Sequence, residues 1–458
     1  MSTQEPSQTP GATPSLPSGF EHVHLNAAGI DVGAKHHYVA VPPDRDAQPV
    51  QSFETFTADL HRLVAWLRRC GIETVAMEST GVFWIPLYQI LDAQGFDVQL
   101  VNAAHVKNVP GRKTDVVDCQ WLQQLHSFGL LRGSFRPDDQ TCVLRSYLRQ
   151  RQTLVEAAAR EIQHMQKALT QMNIQLQHVL SDITGATGLA ILRAIIAGER
   201  DPQVLAQLKD PRVRSSSERI AKALEGDWRA EHLFALEQAV DLYDVFQQKI
   251  QQCDQRIQQQ LQQYPPKVDP TTTPAPPSKK RRRGLGGRGK SAETTRTALY
   301  RATGVDLTAI DGIDAQTAQA LIGEIGPSME KFPSEKHFAA WLRLAPRPQI
   351  SGGKVLSKKS PKGVSRAGQI LRVAANSAAR SDTALGAYSR RMRARLGPAK
   401  AIKATAHRLA KLVYRALKYG TAYVDIGAEA YEEQYRQRRR AYLERTAHEF
   451  GLQLINPA

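Results

Sequence analysis

Four acidic side chains stand where the sequence predicts that strands end and a helix begins. Asp31 and Glu78 each close a short run of apolar residues typical of a buried strand. Asp115 and Asp118 are three residues apart in a predicted helix, which places them on one helix face. Strand ends and the first turn of a facing helix can meet at one edge of a sheet. Carboxylates gathered there would repel one another strongly unless a divalent cation neutralised them.

Such a set of hard oxygen ligands predicts a site for Mg²⁺ or Mn²⁺. Two such ions about 4 Å apart activate a nucleophile and stabilise a leaving oxygen in phosphodiester chemistry. For any single acid a structural role is the simpler interpretation: Asp115 and Asp118 would complement a helix dipole, and Asp31 would serve a turn. The four acids together, at these positions, favour the metal site.

The elements that must position these acids lie in residues 25–137. Their pattern predicts the order βββαβαβα, a mixed sheet with crossover helices and therefore an α/β fold. We expect strands at 27–33, 38–41, 52–56, 74–77 and 98–101. The expected helices begin at a Thr57 cap, at Phe83, and at Asp115 after a Thr114 cap, the last ending at Phe128.

The middle of the chain, residues 140–263, has a different periodicity. Apolar residues recur every seven positions in two registers, at Leu148, Val155, Ile162, Leu169 and Leu176 and at Leu236, Tyr243, Ile250 and Ile257. Heptads sustained over several turns predict two long helices with coiled-coil packing. A hairpin within the chain and an interface between two copies explain this pattern about equally well.

The last part of the chain is predicted to be all-α and basic. A Pro-rich basic linker at 264–290 precedes a helical domain at 291–427, and a charged helical tail follows at 428–458. Residues 307–326 have the pattern of a helix-hairpin-helix, whose turn at Gly312 would bind a phosphate through backbone N–H groups. A turn with only a packing role is the alternative. From Arg366 onward a helical stretch carries basic residues with almost no acids, which favours a polyanionic partner.

A serine flanked by glycines and basic residues lies inside this helical domain. Ser351 precedes Gly352 and Gly353, in a segment predicted to be a loop. The two glycines would let the backbone approach a ligand closely. Nearby basic residues could hold phosphates: Arg347, Lys354, Lys358 and Lys359.

Composition narrows the class of protein. The 458 residues include 61 Lys and Arg against 44 Asp and Glu, a net charge of +17, which predicts nucleic acid or an anionic membrane surface as partner. No run of about 18 apolar residues occurs, and residues 1–24 have the composition of a disordered leader, so neither a membrane-spanning protein nor a secretory precursor is expected. Four scattered cysteines without a CxxC pair favour a reducing cytoplasm and argue against structural zinc.

Two further patterns are predicted to carry no function. Residues 284–291 match the phosphate-binding pattern GxxxxGK[ST], but a basic, Pro-rich run precedes them instead of the buried strand that this mechanism requires. An NTPase site is therefore not expected. His36 and His37 lack metal-ligand spacing and are interpreted as surface residues.

Three blocks of the sequence resemble the signature blocks of the DEDD insertion-sequence transposases: GIDVG at 29–33, AMESTG at 76–81 and KTDVVD at 113–118. The resemblance covers both terminal domains and the helical hairpin. It implies an RNase H-like fold for 25–137, similar to the RuvC Holliday-junction resolvase, with Mg²⁺ (or Mn²⁺) bound by Asp31, Glu78, Asp115 and Asp118. It also implies a serine in 291–427 that forms a covalent phosphoserine with DNA. We place this nucleophile at Ser351, with Ser357, Ser360 and Ser365 as competing positions.

The resemblance therefore implies a bacterial, cytoplasmic and nucleoid-associated recombinase that cleaves and rejoins donor and target DNA. It further implies guidance by a structured bridge RNA and active sites shared across a homodimer or homotetramer, without membrane. Two alternatives stay open: a junction-resolving nuclease that uses the carboxylates alone, and a nucleic-acid-binding protein without catalysis. The long leader and the 264–290 insert depart from the family pattern, and their roles stay open.

Overall fold

The computed structural model of the chain describes residues 21–79, 81–102, 115–276, 286–346, 348–357, 363, 365–422 and 424–453. The chain divides into two units, residues 1–136 and residues 137–458, and each is described here by itself. Several predictions lie outside the described residues: most of the leader, Thr114, Arg347, Lys358, Lys359 and Ser360.

Five strands of the first unit form one mixed sheet in the order β3-β2-β1-β4-β5. They are β1 (Ala27–Val32), β2 (His36–Ala40), β3 (Val50–Glu54), β4 (Thr74–Glu78) and β5 (Asp97–Val101). β1 pairs antiparallel with β2 and parallel with β4. The described helices are α1 (Thr57–Arg69), α2 (Trp84–Ala93) and α3 (Asp115–Ser127). The predicted mixed α/β sheet is confirmed.

The sheet is covered on both faces, which explains the apolar runs in its central strands. One face packs against α1 and α2, and its core includes Ile30 and Leu63. The other face lies under α3, where Val101 packs with Trp121. β1 and β4 are therefore held between two layers of helices.

Two predictions for this unit are wrong. Phe56, rather than Thr57, occupies the N-cap position of α1, and Thr57 is the first helical residue. His37 is buried rather than at the surface, because it stands in the middle of the sheet between Val32 and Phe53. Burial, followed by the nearby His36, lowers the pKa of His37.

Two long helices of the second unit, α4 (Asp139–Gln171) and α8 (Ala230–Gln263), pack along each other. They run antiparallel, because Thr141 Oγ1 at the start of α4 lies 2.9 Å from Tyr264 Oη just after the end of α8. An ion pair between Arg151 and Asp254 joins the helices further along, at 2.5 Å. Heptad residues from both helices form the core between them, including Met165, Leu169, Leu236, Tyr243 and Ile250. The long helices therefore form a hairpin within one chain.

The first predicted heptad series, which ends at Leu176, extends beyond the end of α4. α4 ends at Gln171, and Asn173 adopts a left-handed backbone with φ of 58°. Leu176 consequently lies in a 3₁₀ turn, where it stays fully buried. Three short helices close the core around it: α5 (Ala186–Ile196), α6 (Pro202–Gln207) and α7 (Ser217–Leu224).

The remainder of the second unit is mostly helical, as predicted. Its helices are α9 (Gly286–Thr303), α10 (Ala315–Ile325), α11 (Glu335–Trp341), α12 (Arg366–Ala378), α13 (Ala384–Leu396), α14 (Pro398–Tyr419) and α15 (Ala428–Glu449). A two-stranded hairpin of β6 (Gln349–Ser351) and β7 (Lys354–Ser357) interrupts them. α9 begins inside the predicted linker, so residues 286–291 of the GxxxxGK[ST] match are helical. Among the described helices, none is long and apolar enough to cross a membrane.

His126, at the end of α3, is a buried base. Its Nε2 lies 2.9 Å from Thr74 Oγ1 of β4, and 2% of the residue is exposed. The ring of His24 stacks beside it with 5.0 Å between ring centroids. Burial and then the neighbouring His24 lower the pKa of His126 to about 4, against a weaker opposing effect of Asp97. The folded unit therefore holds His126 in its neutral form.

We predict that the first unit loses stability as the pH falls from 6.5, the ordinary pKa of histidine, to about 4. Above this window His126 is neutral in both states, whereas within it the unfolded chain takes up a proton that the folded unit excludes. The free energy of unfolding should fall by about 3 kcal/mol across the window. Hydrogen exchange of β4 amides in the full chain measures this loss. The variant His126→Gln should keep only the smaller pH dependence that His37, whose pKa is also lowered, contributes. An unchanged dependence would contradict the prediction.

Candidate active site

Helix α3 crosses the sheet in backbone contact with β1. A Cβ atom added at Gly29 would lie 2.2 Å from the backbone N of Gln123 and 2.4 Å from the backbone O of Cys119. Both are main-chain atoms of a helix, which cannot move aside as the end of a flexible side chain can. Glycine at position 29 therefore sets how closely α3 approaches the sheet.

The direction of α3 brings its first turn to the carboxyl ends of β1 and β4. Gln123 Nε2 donates to the carbonyl oxygen of Ala27 at 3.3 Å, and His126 contacts Thr74. Ala27 and Thr74 are the first residues of their strands. The second half of α3 thus lies over the strand beginnings, and its amino-terminal turn is directed toward the strand ends.

Asp31 and Glu78 lie side by side at those strand ends. β1 and β4 are parallel with Ile30 opposite Met77, so the next residues are neighbours on strands about 5 Å apart. Ile30 and Met77 point into the core under α1 and α2. Because side chains alternate along a strand, Asp31 and Glu78 point to the face that α3 covers. Both residues are half-buried.

Asp118 adds a carboxylate from the helix side. Its neighbour Cys119 is fully buried, and the pKa of the Cys119 thiol is raised to about 12. Burial is the main cause, the negative charge of Asp31 is the next, and Asp118 contributes as well. A strand carboxylate and a helix carboxylate therefore act on the same thiol. The contact of Gly29 with the main chain of Cys119 places the end of β1 beside this part of α3.

Asp115 is the first residue of α3. Its backbone therefore stands at the helix terminus, where the helix dipole stabilises a negative charge. The described part of the chain does not include its side chain. The structure thus brings Asp31, Glu78 and Asp118 to one edge of the sheet, and the participation of Asp115 stays a prediction.

The carboxylates fit a hard cation such as Mg²⁺ or Mn²⁺ by the type of their donor atoms. Among the described side chains, however, no group of three or more His, Cys, Asp or Glu stands close enough to hold a metal ion. The side chain of Asp115 lies outside that set. The described carboxylates, in the positions they occupy, therefore do not form a complete set of ligands for a metal ion.

Ser351 lies at the tip of a β-hairpin, and the prediction of a loop is wrong. It stands opposite Lys354, and Gly352 and Gly353 make the two-residue turn between them. The two glycines have φ of 53° and 74°, and two consecutive left-handed residues are typical of a type I′ turn. Nothing described lies within 4 Å of a Cβ added at either glycine, so the backbone of the tip is open to a ligand.

Residues 350–356 of the hairpin are open to solvent. Ser351 and Lys354 are exposed, and the apolar side chains of Ile350 and Leu356 are 61% and 70% exposed. Two strands alone are marginally stable in water. The hairpin therefore presents the Ser351 hydroxyl on a surface that a large substrate can reach.

Ser365 has a structural role that competes with nucleophilic chemistry. It is the N-cap of α12, and its Oγ accepts a hydrogen bond from the backbone N of Gly368 at 3.3 Å. Ser351 is exposed to solvent by comparison. Ser357, at the end of β7, is half-buried. The geometry therefore favours Ser351 over Ser365.

The turn at Gly312 is packed against a neighbouring helix. A Cβ added there would lie 2.3 Å from the carbonyl oxygen of Ala374 in α12. The terminus of α10 is already capped, because Asp314 Oδ1 accepts a hydrogen bond from the backbone N of Thr317 at 2.8 Å. The predicted first helix is a single 3₁₀ turn at Leu307–Ala309. These contacts are those expected of the packing alternative, and phosphate binding at Gly312 stays a prediction.

Two basic side chains meet between α12 and α14, which the sequence did not indicate. Burial and then the charge of Arg372 lower the pKa of Lys403. Arg372 Nε is buried and has no hydrogen-bond partner among the described residues. Arg366, six residues earlier on α12, is exposed. No carboxylate in the described part of the chain forms an ion pair with Arg372 or Lys403, which favours an anionic ligand for the two cations.

Two segments of the chain match families of transposases. Residues 28–174 match the model of the DEDD transposase of IS110, described as Transposase. Residues 306–390 match the model described as Transposase IS116/IS110/IS902 family. The first segment contains the four predicted acids and the second contains Ser351, and together they span just over half of the chain. No match to the chain is found among curated proteins.

We predict that Gly29→Ala displaces α3 and destabilises the first unit by about 3 kcal/mol, because the methyl group would overlap main-chain atoms. Hydrogen exchange of α3 and β1 in the full chain measures the effect. Gly133→Ala is the matched control, since the atoms nearest to its added Cβ belong to the flexible Gln99 side chain at 3.3 Å. Equal exchange in the two variants would contradict the importance of the contact at Gly29.

Proposed function

Because the chain belongs to the IS110 family of transposases and is a DNA transposase, we propose that it cleaves and rejoins donor and target DNA through a carboxylate site and Ser351. In this proposal residues 25–137 form a RuvC-like carboxylate domain, 140–263 a helical hairpin and 291–427 a serine-bearing domain. The observation that carries the proposal is the convergence of Asp31, Glu78 and the first turns of α3 at one sheet edge.

The proposed reaction is a pair of exchanges at phosphorus. Ser351 Oγ attacks the phosphorus of a DNA phosphodiester, the bond from phosphorus to a deoxyribose oxygen breaks, and the DNA becomes esterified to the serine. The serine proton passes to a base, and the leaving oxygen takes up a proton. A hydroxyl of a second DNA strand then attacks the same phosphorus and releases Ser351. One ester bond forms for each that breaks, so no external energy source is needed.

Asp31, Glu78, Asp115 and Asp118 are the residues that would hold Mg²⁺ (or Mn²⁺). The bound cation would neutralise phosphate charge and activate an oxygen nucleophile. The fold of the chain contributes by holding these carboxylates near one another. Adjacent parallel strands hold Asp31 beside Glu78, and the contact at Gly29 holds α3 and Asp118 against them.

The nucleic-acid partners in this proposal are donor DNA, target DNA and a structured guide RNA. Base pairing with the RNA would supply sequence choice, and the protein would bind backbone and shape. The Arg372 and Lys403 pair and the exposed Arg366 support phosphate binding by the second unit. The predicted contacts are Gly312, Arg347, Gly352, Gly353, Lys354, Lys358, Lys359 and Arg366.

Assembly into a homodimer or homotetramer is part of the same proposal. Apolar side chains on one side of α8 support it: Phe234, Leu242 and Val245 are 64%, 46% and 48% exposed. Exposed apolar patches of this kind commonly mark contacts between proteins. A second copy would bury them while leaving the hairpin core intact.

We predict that purified protein, candidate guide RNA, Mg²⁺ and labelled DNA give a protein–DNA adduct that resists denaturant. Ser351→Ala should reduce the adduct by about a thousandfold or more, because it removes the attacking oxygen. Asp31→Asn and chelation of the cation should each abolish both adduct and cleavage, since they remove the carboxylate site. Gel electrophoresis under denaturing conditions measures both products.

The control Ser357→Ala should form the adduct normally. Free nicked DNA from Ser351→Ala would support instead a junction-resolving nuclease that uses the carboxylates alone. Unchanged DNA processing by Asp31→Asn would show that the carboxylate site has no catalytic role. This result is the one expected of a binding protein without catalysis.

A further inference from the structure

The last helix, α15, is anchored to the second unit by its first turns. Tyr431 is buried and packs edge-on against Tyr388 of α13, with ring centroids 6.4 Å apart. The guanidinium of Arg391 lies 5.0 Å from the Tyr431 ring and 3.3 Å from the Tyr435 ring. Arg391 also forms an ion pair with Glu432. Cation–π and apolar contacts thus hold the beginning of α15 on α13.

Beyond this anchor the helix extends into solvent. Every residue from Arg436 to Arg445 is exposed. An exposed helix of a soluble domain normally mixes charges of both signs. Residues 434–443 instead contain four arginines and no acid. The exposed part of α15 is therefore a basic arm.

One side of this arm combines aromatic rings with guanidinium groups. Tyr435, Arg438, Arg439, Tyr442 and Leu443 border an open groove of about 470 Å³. Their spacing of three, four, seven and eight residues places them on one side of the helix. Tyr442 is 58% exposed and Leu443 is 44% exposed. We call these five residues the arm face.

The arginines of the arm differ in their partners. Arg436 pairs with Glu433 and Arg440 pairs with Glu444, each at 2.9 Å. Arg438 donates from Nε to a carbonyl oxygen of its own helix, at Gln434. In the described part of the chain no carboxylate forms an ion pair with Arg438 or Arg439. Described carboxylates therefore do not neutralise the charge of Arg438 and Arg439 on the arm face, whereas they neutralise that of Arg436 and Arg440 beside it.

We propose that the arm face binds a single-stranded segment of nucleic acid. Tyr442 presents an exposed ring on which an unpaired base stacks, and Arg438 and Arg439 bind the phosphates beside it. Stacking requires bases that are not already paired, which favours a single strand over a duplex. A second copy of the arm is disfavoured, because two faces with uncompensated arginines repel each other.

This inference rests on the proposed function in that a nucleic-acid partner is present. It adds a binding surface outside both matched segments, since α15 begins after residue 390. The anchor connects the arm to α13, because Arg391 of α13 lies over the ring of Tyr435. A strand bound at Tyr442 would therefore be held to the second unit through α15. The arm would thus hold a single strand close to the basic helices of the second unit.

Fluorescence anisotropy with the full chain tests the proposal. The probes are a labelled single-stranded oligonucleotide of mixed sequence, as RNA and as DNA, and a duplex of the same sequence. The double variant Arg438→Gln/Arg439→Gln should weaken single-strand binding about tenfold or more and reduce the slope of log affinity against log salt by about 1.4. Tyr442→Ala should weaken it about tenfold with little change in slope, and Tyr442→Phe should restore it.

The matched control is Arg436→Gln/Arg440→Gln on the same helix, which removes the same charge from ion-paired positions. Equal losses in the two double variants, or no loss in either, would overturn the arm face as a site. A changed sedimentation coefficient with unchanged nucleic-acid binding would show that the face serves a second copy instead. Adduct formation at Ser351 is measured separately from binding to the arm face. Absence of the adduct would therefore not affect the binding result, and absence of binding would not affect the adduct result.

Discussion

The backbone contact between α3 and β1 at Gly29 is the constraint on which the candidate active site depends. A helix normally stands off a sheet by the length of intervening side chains, whereas here a single added carbon would lie 2.2 Å from the helix main chain. The close approach brings the turn of α3 that carries Asp118 and Cys119 onto β1, where Asp31 has Glu78 as its neighbour on the adjacent strand. The position of α3 over the sheet is also held by contacts elsewhere on the same helix. Those contacts lie at the far end of α3, where Gln123 and His126 bind the beginnings of β1 and β4.

The two units differ in the kind of chemistry that their surfaces suit. In the first unit Asp31 and Glu78 are half-buried, and the register of β1 and β4 fixes them beside each other. In the second unit Ser351 occupies the tip of an exposed hairpin. A covalent bond to DNA requires a hydroxyl that the DNA can reach. The proposed mechanism therefore assigns charge control to the rigid site and nucleophilic attack to the accessible one.

Much of this arrangement could be predicted because its signals are local. Alternation and apolar runs indicated the strands of the mixed sheet, and acids at strand ends indicated one sheet edge. Heptads indicated two long helices, although Asn173 ends the first of them earlier than the register suggested. The hairpin at Ser351 also had a local signal in its Gly-Gly pair between alternating residues, which was assigned to ligand approach rather than to a type I′ turn.

Other features depend on tertiary packing and had no such signal. Arg372 and Lys403 are 31 positions apart in sequence and become neighbours because α12 packs on α14. His37 is buried because strands flank it on both sides, which a pair of adjacent histidines does not indicate. The stack of Arg391 between Tyr431 and Tyr435 likewise joins two helices that are distant in sequence.

The central claim is that Asp31, Glu78 and the start of α3 form one cation site that the contact at Gly29 holds together. Binding of Mn²⁺ to the full chain, followed by electron paramagnetic resonance, tests this claim most directly. We predict saturable Mn²⁺ binding in the natural chain that is lost in Asp31→Asn and weakened in Gly29→Ala, but kept in Gly133→Ala. Equal Mn²⁺ binding by all four proteins would contradict it.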